Sequence, residues 1–280
     1  MKGWIAMAKV YMPNYWGRLL LRELTRLRIE SGLMQREVER RLKFGAQKVS
    51  RFEGGGQVPI WHEVTAMLDL YGVITNDWKY FEELWDKAKE PGWWRAFGLT
   101  DPGYVAFEHE ASHVRQFVLG FIPGILQTTE YARAVFEAMV PPKSEEFTMR
   151  ALGIRARRQE RLFGDNPINL HVIIHEAVLM SGGVDNGQLL RLVERVELPN
   201  VIIQVVPLSA CPHVGLVGPF SILSFPVKDE ELLWYEDPLG GQHEIWNQEK
   251  VATAKLLVQD LADRALDEID SIALIKRLIT

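Results

Sequence analysis

The chain has 280 residues, 47% of them hydrophobic and 25% charged, an ordinary globular composition that suits one large domain or two of moderate size. No apolar run approaches the roughly 18 residues a membrane span needs, and the N-terminus, with Trp4, Asn14 and Tyr15 among its apolar residues, lacks a small-residue cleavage site, so neither a membrane span nor a secretory leader is expected. The net charge of −5 is uneven: residues 1–53 carry 12 Lys+Arg and 5 Glu, a net of +7, whereas residues 54–280 carry 20 basic and 32 acidic residues, a net of −12.

A basic head on an acidic body is the asymmetry of a chain whose one end meets a polyanion. In that head the pattern is helical from Arg18, with Leu20, Leu24 and Leu27 recurring at i, i+4, i+7 until Ser31-Gly32 stops it. A short helix follows from Gln35 to about Leu42, with Val38 and Leu42 inward. After Lys43-Phe44-Gly45 comes a third, Ala46 to Glu53, with Val49 and Phe52 on its apolar face and Gly54-Gly55-Gly56 at its end. Two short helices joined by a tight turn under a longer one make a helix-turn-helix. After Pro59, Ile60, Val64, Met67/Leu68 and Tyr71 mark a fourth helix; Asn76 is placed to cap a fifth, lined by Trp78, Phe81, Leu84/Trp85 and Ala88. These features set a first domain over residues 1–90, a linker over 91–102 and a second domain over 103–280. In the linker, Trp93 and Trp94 read first as an interdomain packing plug and second as a ligand platform.

The stretch Leu33-Met34-Gln35-Arg36-Glu37-Val38 with Val49-Ser50-Arg51-Phe52-Glu53-Gly54 resembles the lambda-repressor-like (XRE) family, L-[ST]-Q-x-x-L … V-S-R-[IF]-E-x-G. The resemblance implies a motif over residues 35–53, with Gln35 at the phosphate backbone and the exposed residues of the third helix in the major groove. It makes Gln35, Arg36, Ala46, Gln47, Lys48, Ser50 and Arg51 the DNA-facing set. Their chemistry suits the role: Gln47 can pair bidentately with adenine, and Lys48 or Arg51 with guanine or phosphate. Two positions depart from the family. Glu39 stands where a small residue is usual, and Lys43 where glycine is usual because the turn often needs positive φ; both bear on DNA affinity.

Beyond residue 102, helices are expected at about 102–119, 128–139, 145–163, 185–197 and 247–278. Short β-branched runs at Ile168–Ile174, Val201–Pro207, Phe220–Phe225 and Leu232–Glu236 read as strands. Strands not regularly alternated with helices favour α+β for the whole: an all-α five-helix head followed by a larger mixed α/β domain. Pro123-Gly124-Ile125-Leu126-Gln127-Thr128-Thr129-Glu130-Tyr131-Ala132 resembles the P-G-L-L-Q-T-x-x-Y-A signature of a domain of unknown function in actinobacterial regulators. Arg155-Ala156-Arg157-Arg158-Gln159, His175-Glu176-Ala177, Gln188-Leu189, Pro199-Asn200-Val201 and Gly218-Pro219-Phe220 continue its pattern. That family includes WhiJ-like regulators whose genes stand beside one for a small BldB-like protein, a pair described as antitoxin-like. The resemblance implies transcriptional regulation tuned by a small protein partner, with no activity for the second domain itself. Thr128 is placed to cap a helix. The helix from Ser144 opens on Glu145-Glu146 and ends on Arg155, Arg157, Arg158 and Arg161, an order that suits the helix dipole. Arg157 and Arg158 are candidates for an acidic partner or anionic ligand, and more plainly for pairing with the domain's surplus carboxylates.

One enzyme-like pattern competes. His109-Glu110-Ala111-Ser112-His113 matches H-E-x-x-H on an expected helix, where two imidazoles one turn apart bind zinc and the glutamate acts as general base. On that helix Phe107, Ala111, Val114 and Val118 form the buried stripe, with both histidines near the polar face. Arg115 stands where zinc peptidases prefer an apolar residue, and Glu130 is the only nearby downstream carboxylate for a third ligand. His171 and His175, four apart on a strand, lie roughly 13 Å apart and share no metal. Cys211, the single cysteine, rules out an internal disulfide framework, fits a reducing, cytoplasmic compartment and reads as a small inert residue. The expectation is therefore a homodimeric, double-stranded-DNA-binding regulator with no catalytic residue, metal or cofactor, and with the apolar helix around Leu266–Ile279 as its dimer contact. An antitoxin-like interaction protein and a zinc-dependent hydrolase through His109, Glu110 and His113 stand behind it.

Overall fold

A computed structural model describes residues 12–227, 230–237 and 239–279; Trp4 lies outside them. The chain divides into two compact units, Met1–Ala106 and Phe107–Thr280. The first holds five α-helices: α1 (Tyr15–Glu30), α2 (Gln35–Arg41), α3 (Lys48–Glu53), α4 (Trp61–Leu70) and α5 (Trp78–Lys89). Helix α1 starts three residues before Arg18 because Asn14 caps it, its side-chain oxygen accepting from Gly17 N–H at 2.9 Å. The same amide donates to the Lys87 and Glu90 carbonyls at 3.0 and 3.3 Å, tying the start of α1 to the end of α5. Leu20, Leu24, Val38, Val49, Phe52, Val64, Leu68, Phe81 and Leu84 are all buried, as their helical spacing requires. Asn76 does not cap α5; a 3₁₀ turn over Thr75–Asp77 leads into it, with Asp77 at the cap position.

Residues 91–102 fall within this helical unit. Trp93–Phe97 makes a 3₁₀ turn, and Trp94 is buried against Gly92, where an added Cβ would lie 2.0 Å from the indole. Trp93 meets Trp94 and Phe97 edge-on. Met12 N–H donates to the Thr100 carbonyl at 3.0 Å, and Arg18 lies 3.8 Å from Asp101.

Helix α6 (Tyr104–Glu110) spans the division between the units. The second unit continues with β1 (His113–Val118), α7 (Thr129–Glu137), α8 (Glu145–Gln159), β2 (Asn169–His175), α9 (Glu176–Leu179), α10 (Asn186–Arg195) and β3 (Val201–Val206). It ends with β4 (Phe220–Ser224), β5 (Glu231–Glu236), β6 (Gln242–Ile245), α11 (Gln248–Arg264) and α12 (Glu268–Leu278). One six-stranded sheet runs in the order β3-β2-β1-β4-β5-β6. Strands β1, β2 and β3 are parallel, with Phe117 opposite Ile173 and Ile173 opposite Gln204; β4, β5 and β6 continue antiparallel from β1. Helix α11 packs on the sheet, where Val251, Ala254, Val258 and Leu261 meet Phe117, Ile173, Val206 and Ile222. This is an α+β chain with a helical head and a mixed sheet behind it.

Three expectations give way here. The helix expected over 102–119 ends at Glu110, and His113–Val118 is the strand at the middle of the sheet. Val114 and Val118 are buried as expected, but a spacing of four is even, so it satisfies strand alternation as well as a helical face. The helix expected over 247–278 breaks after Arg264: Leu266 N–H donates to the Val205 carbonyl at 2.9 Å, and Asp267 caps α12 by accepting from Asp270 N–H at 2.8 Å. Finally, the apolar stripe of α12 packs within the chain. Ser271, Leu274 and Ile275 are buried against β3 and α10, and Ser271 Oγ accepts the Val205 N–H at 2.9 Å. That stripe is not open to a second copy. No helix among the described residues is long and apolar enough to cross a membrane.

Candidate nucleic-acid interface

Helix α3 begins at Lys48, so Ala46 and Gln47 precede it on the turn. Lys43 and Gln47 both take left-handed backbone, at φ 53° and 61°, a conformation that costs a side-chain-bearing residue roughly 1–2 kcal/mol. Lys43 thus takes the positive φ that the resemblance implied for this turn. Gln47, at the cap position, makes no side-chain cap. Glu39 replaces it, accepting the Val49 N–H at 3.1 Å, which satisfies a free amide at the positive end of α3. The carboxylate that departs from the family pattern therefore closes the motif instead of disrupting it.

The other end of α3 is locked by Glu53. Arg28 donates to it through Nε at 2.5 Å and Nη2 at 3.0 Å, and Gln35 donates through Nε2 at 2.6 Å. Arg28 also reaches the Leu33 carbonyl at 2.7 Å. The two ion-paired side chains are only 12% and 13% exposed, so the lock sets the angle between α1, α2 and α3. Glu53 raises the Arg28 pKa through this hydrogen bond. Gln35 is half-buried and spends part of its amide on Glu53.

Of the seven residues expected at DNA, Arg36, Ala46, Gln47, Ser50 and Arg51 are exposed. Lys48 turns back: its ammonium pairs with Glu63 and lies over the rings of Phe44 and Phe52, 4.9 and 5.9 Å from their centroids. Glu63 is itself anchored by accepting Ile60 N–H at 3.0 Å at the start of α4. Two further exposed cations that were not singled out lie on α2 and the turn after it, Arg40 and Lys43. Arg40 follows Arg36 by four residues on α2, the helical spacing that marks one face. Arg36, Arg40, Lys43 and Arg51 make no ion pair among the described residues.

In the second unit the candidate arginines are engaged. Arg157 pairs with Glu160. Arg158 makes a two-pronged bond to buried Glu108, at 2.6 and 2.8 Å. Arg155 lies between Gly124 and Phe136, its guanidinium 5.0 Å from the Phe136 centroid; burial and neighbouring Arg158 push its pKa down to about 9. A Cβ on Gly124 would meet Arg155 Nη1 at 2.2 Å, so a side chain there would have to displace that guanidinium.

The signature residues of this unit prove to satisfy buried backbone. Gln188 accepts Thr128 N–H at 2.8 Å and donates to the Leu126 carbonyl at 3.0 Å. Gln127 donates to the Ile122 carbonyl, Gln159 to the Gln127 carbonyl, each at 2.7 Å, and Asn200 to the Ile168 carbonyl at 2.8 Å. Thr128 caps α7 as its position predicts, accepting Tyr131 N–H at 3.1 Å. Buried backbone amides and carbonyls outside helices and strands need partners, and here side chains supply them.

The H-E-x-x-H pattern loses its geometry. His109 and Glu110 end α6, whereas His113 opens β1 after a break held by Ser112 N–H to the Ser224 carbonyl at 2.9 Å. The two imidazoles are not one turn apart on a helix. Metal-ligand chemistry collects instead at the end of β2, where His175 and His213 meet Cys211.

Two family models match. Residues 102–277 match a domain of unknown function, DUF5753, and residues 19–77 match a helix-turn-helix domain. No curated protein and no solved structure matches the chain.

Proposed function

With the chain belonging to the DUF5753 family and a helix-turn-helix domain ahead of that region, we propose that it is a sequence-specific, double-stranded-DNA-binding transcriptional regulator acting in the cytoplasm. The observation that carries this is what α2, α3 and the turn between them expose: Gln47, Ser50 and Arg51, together with the cations Arg36, Arg40 and Lys43, which make no ion pair among the described residues. The Arg28–Glu53–Gln35 lock and the Glu39 cap hold these elements in one arrangement. Cations without counter-charges release condensed ions from phosphate, which supplies affinity; Gln47 and Arg51 are the pair chemically fitted to base edges. One head offers few phosphate contacts, so the reading includes a homodimer on two half-sites. Control enters through the second unit, by a small protein partner or ligand.

Fluorescence anisotropy of the full chain against the duplex upstream of its own gene tests this. Tight binding that is lost on a scrambled duplex and in Gln47→Ala/Arg51→Ala is the expected result. Weak binding that ignores sequence and is unchanged by those substitutions sinks the regulator reading.

A further inference from the structure

We propose that His175, Cys211 and His213 form a binding site for one zinc-class divalent metal ion. Their ligand atoms all lie within 4.8 Å of one another. His175 is the last residue of β2, and Cys211 and His213 sit on the loop that leaves β3. Because β2 and β3 are parallel, with His175 opposite Val206, the carboxyl ends of the two strands bring these residues together across 36 positions of sequence. The carboxyl edge of parallel strands is where such sheets ordinarily receive ligands.

The distances suit zinc. Tetrahedral coordination with Zn–N and Zn–S bonds of about 2.05 and 2.3 Å sets N and S about 3.6 Å apart. His175 Nε2 and Cys211 Sγ are 3.6 Å apart. His213 supplies the independent sign of a missing partner. It is only 8% exposed, yet among the described residues neither of its ring nitrogens has a hydrogen-bond partner. It stands edge-on to Phe117, with ring centroids 5.9 Å apart, and its ring centroid is 5.4 Å from that of His175. Glycine at 215 gives it room, since a Cβ there would meet Phe117 at 2.6 Å and His213 Nδ1 at 3.0 Å. A buried imidazole with no partner is unfavourable unless something occupies its lone pair.

One thiolate and two imidazoles are the donors of zinc and its neighbours, and the absence of a carboxylate from the set disfavours magnesium and calcium. Binding breaks the Cys211 S–H bond, sends its proton to solvent and forms the metal–sulfur bond, leaving a net charge of +1 on the site. His175 Nδ1 accepts the Ala177 N–H at 3.3 Å, the long end of such bonds. Coordination through Nε2 moves the ring proton to Nδ1 and gives that contact up. Cys211 is exposed, so solvent reaches the thiolate side of the site, and three protein donors leave a fourth position to water or substrate, the arrangement of an open site.

The test needs no DNA and stands apart from the regulator reading. The metal-free full chain is titrated with Zn(II) against a chromophoric chelator, and with Co(II) for its thiolate charge-transfer band. One ion per chain, the cobalt–thiolate band, and a loss on the order of 100-fold or more in Cys211→Ser, at least what losing a supporting partner costs, are expected. Because Cys211 is exposed, that variant keeps its circular dichroism. His113→Ala should bind as the parent does. No stoichiometric zinc, undiminished binding in Cys211→Ser, or loss in His113→Ala would each overturn the site.

Discussion

The DNA face makes a quantitative demand on salt dependence. Three exposed cations that make no ion pair among the described residues, Arg36, Arg40 and Lys43, lie on or just after α2. With a slope of about −0.9 per neutralised phosphate, one head gives d log K/d log[salt] of about −2.7, and a dimer about twice that. Replacing Arg36 by alanine removes one contact per head, and the slope per head falls to about −1.8. Lys48→Ala behaves differently, because Glu63 already neutralises that ammonium and no phosphate takes its place. Its slope stays at the parent value, although Phe44 and Phe52 lose a cation over their rings. Anisotropy titrations of parent, Arg36→Ala and Lys48→Ala at four or more salt concentrations read this directly. Equal slope losses in the two variants would show that Lys48 leaves Glu63 for phosphate, and the reasoning from its ion pair would fail. A parent slope near zero would remove the phosphate contacts altogether.

Three further outcomes follow from the second unit. Glu108→Ala removes the carboxylate that pairs with Arg158, 13% exposed, and should cost about 3–5 kcal/mol in denaturant unfolding; a loss under about 1 kcal/mol contradicts the pairing. Gln188→Ala orphans the buried Thr128 N–H and Leu126 carbonyl, at about 1–3 kcal/mol for each group, and hydrogen exchange at Thr128 should accelerate. Burial lowers the pKa of both His109 and His171, so the unfolded chain takes up their protons first. Stability is therefore complete above the ordinary imidazole value of about 6.5 and declines as pH falls below it, before carboxylates titrate. Unfolding free energy that rises over that interval would reverse the sign.

What sequence alone determined about this protein is what neighbours in the chain determine. Helices α1 to α5 were legible because an apolar face repeats every three to four residues and stops at Ser31-Gly32, Gly54 and Gly72. Thr128 announced the start of α7 by its hydroxyl alone. Positive φ at residue 43 was implied only by the family resemblance, which left a different turn open, and the structure places it there. Partners distant in sequence were not legible. Lys48 was expected among the DNA-facing residues, and its pairing with Glu63, fifteen positions on, could not be read from the sequence. Glu39 looked like a misfit until Val49 N–H needed an acceptor. His113–Val118 passed for helix because its buried valines are four apart, a spacing both periods allow, and only pairing with β2 and β4 makes it a strand. Cys211 looked inert and the histidine pair at 171 and 175 looked unusable, since strand geometry holds those two apart. Tertiary structure set His175 beside Cys211 and His213 through the parallel pairing of β2 with β3. Local propensity is written along the chain; a charge's counter-ion, a strand's neighbours and a metal's ligands are chosen only when distant segments meet.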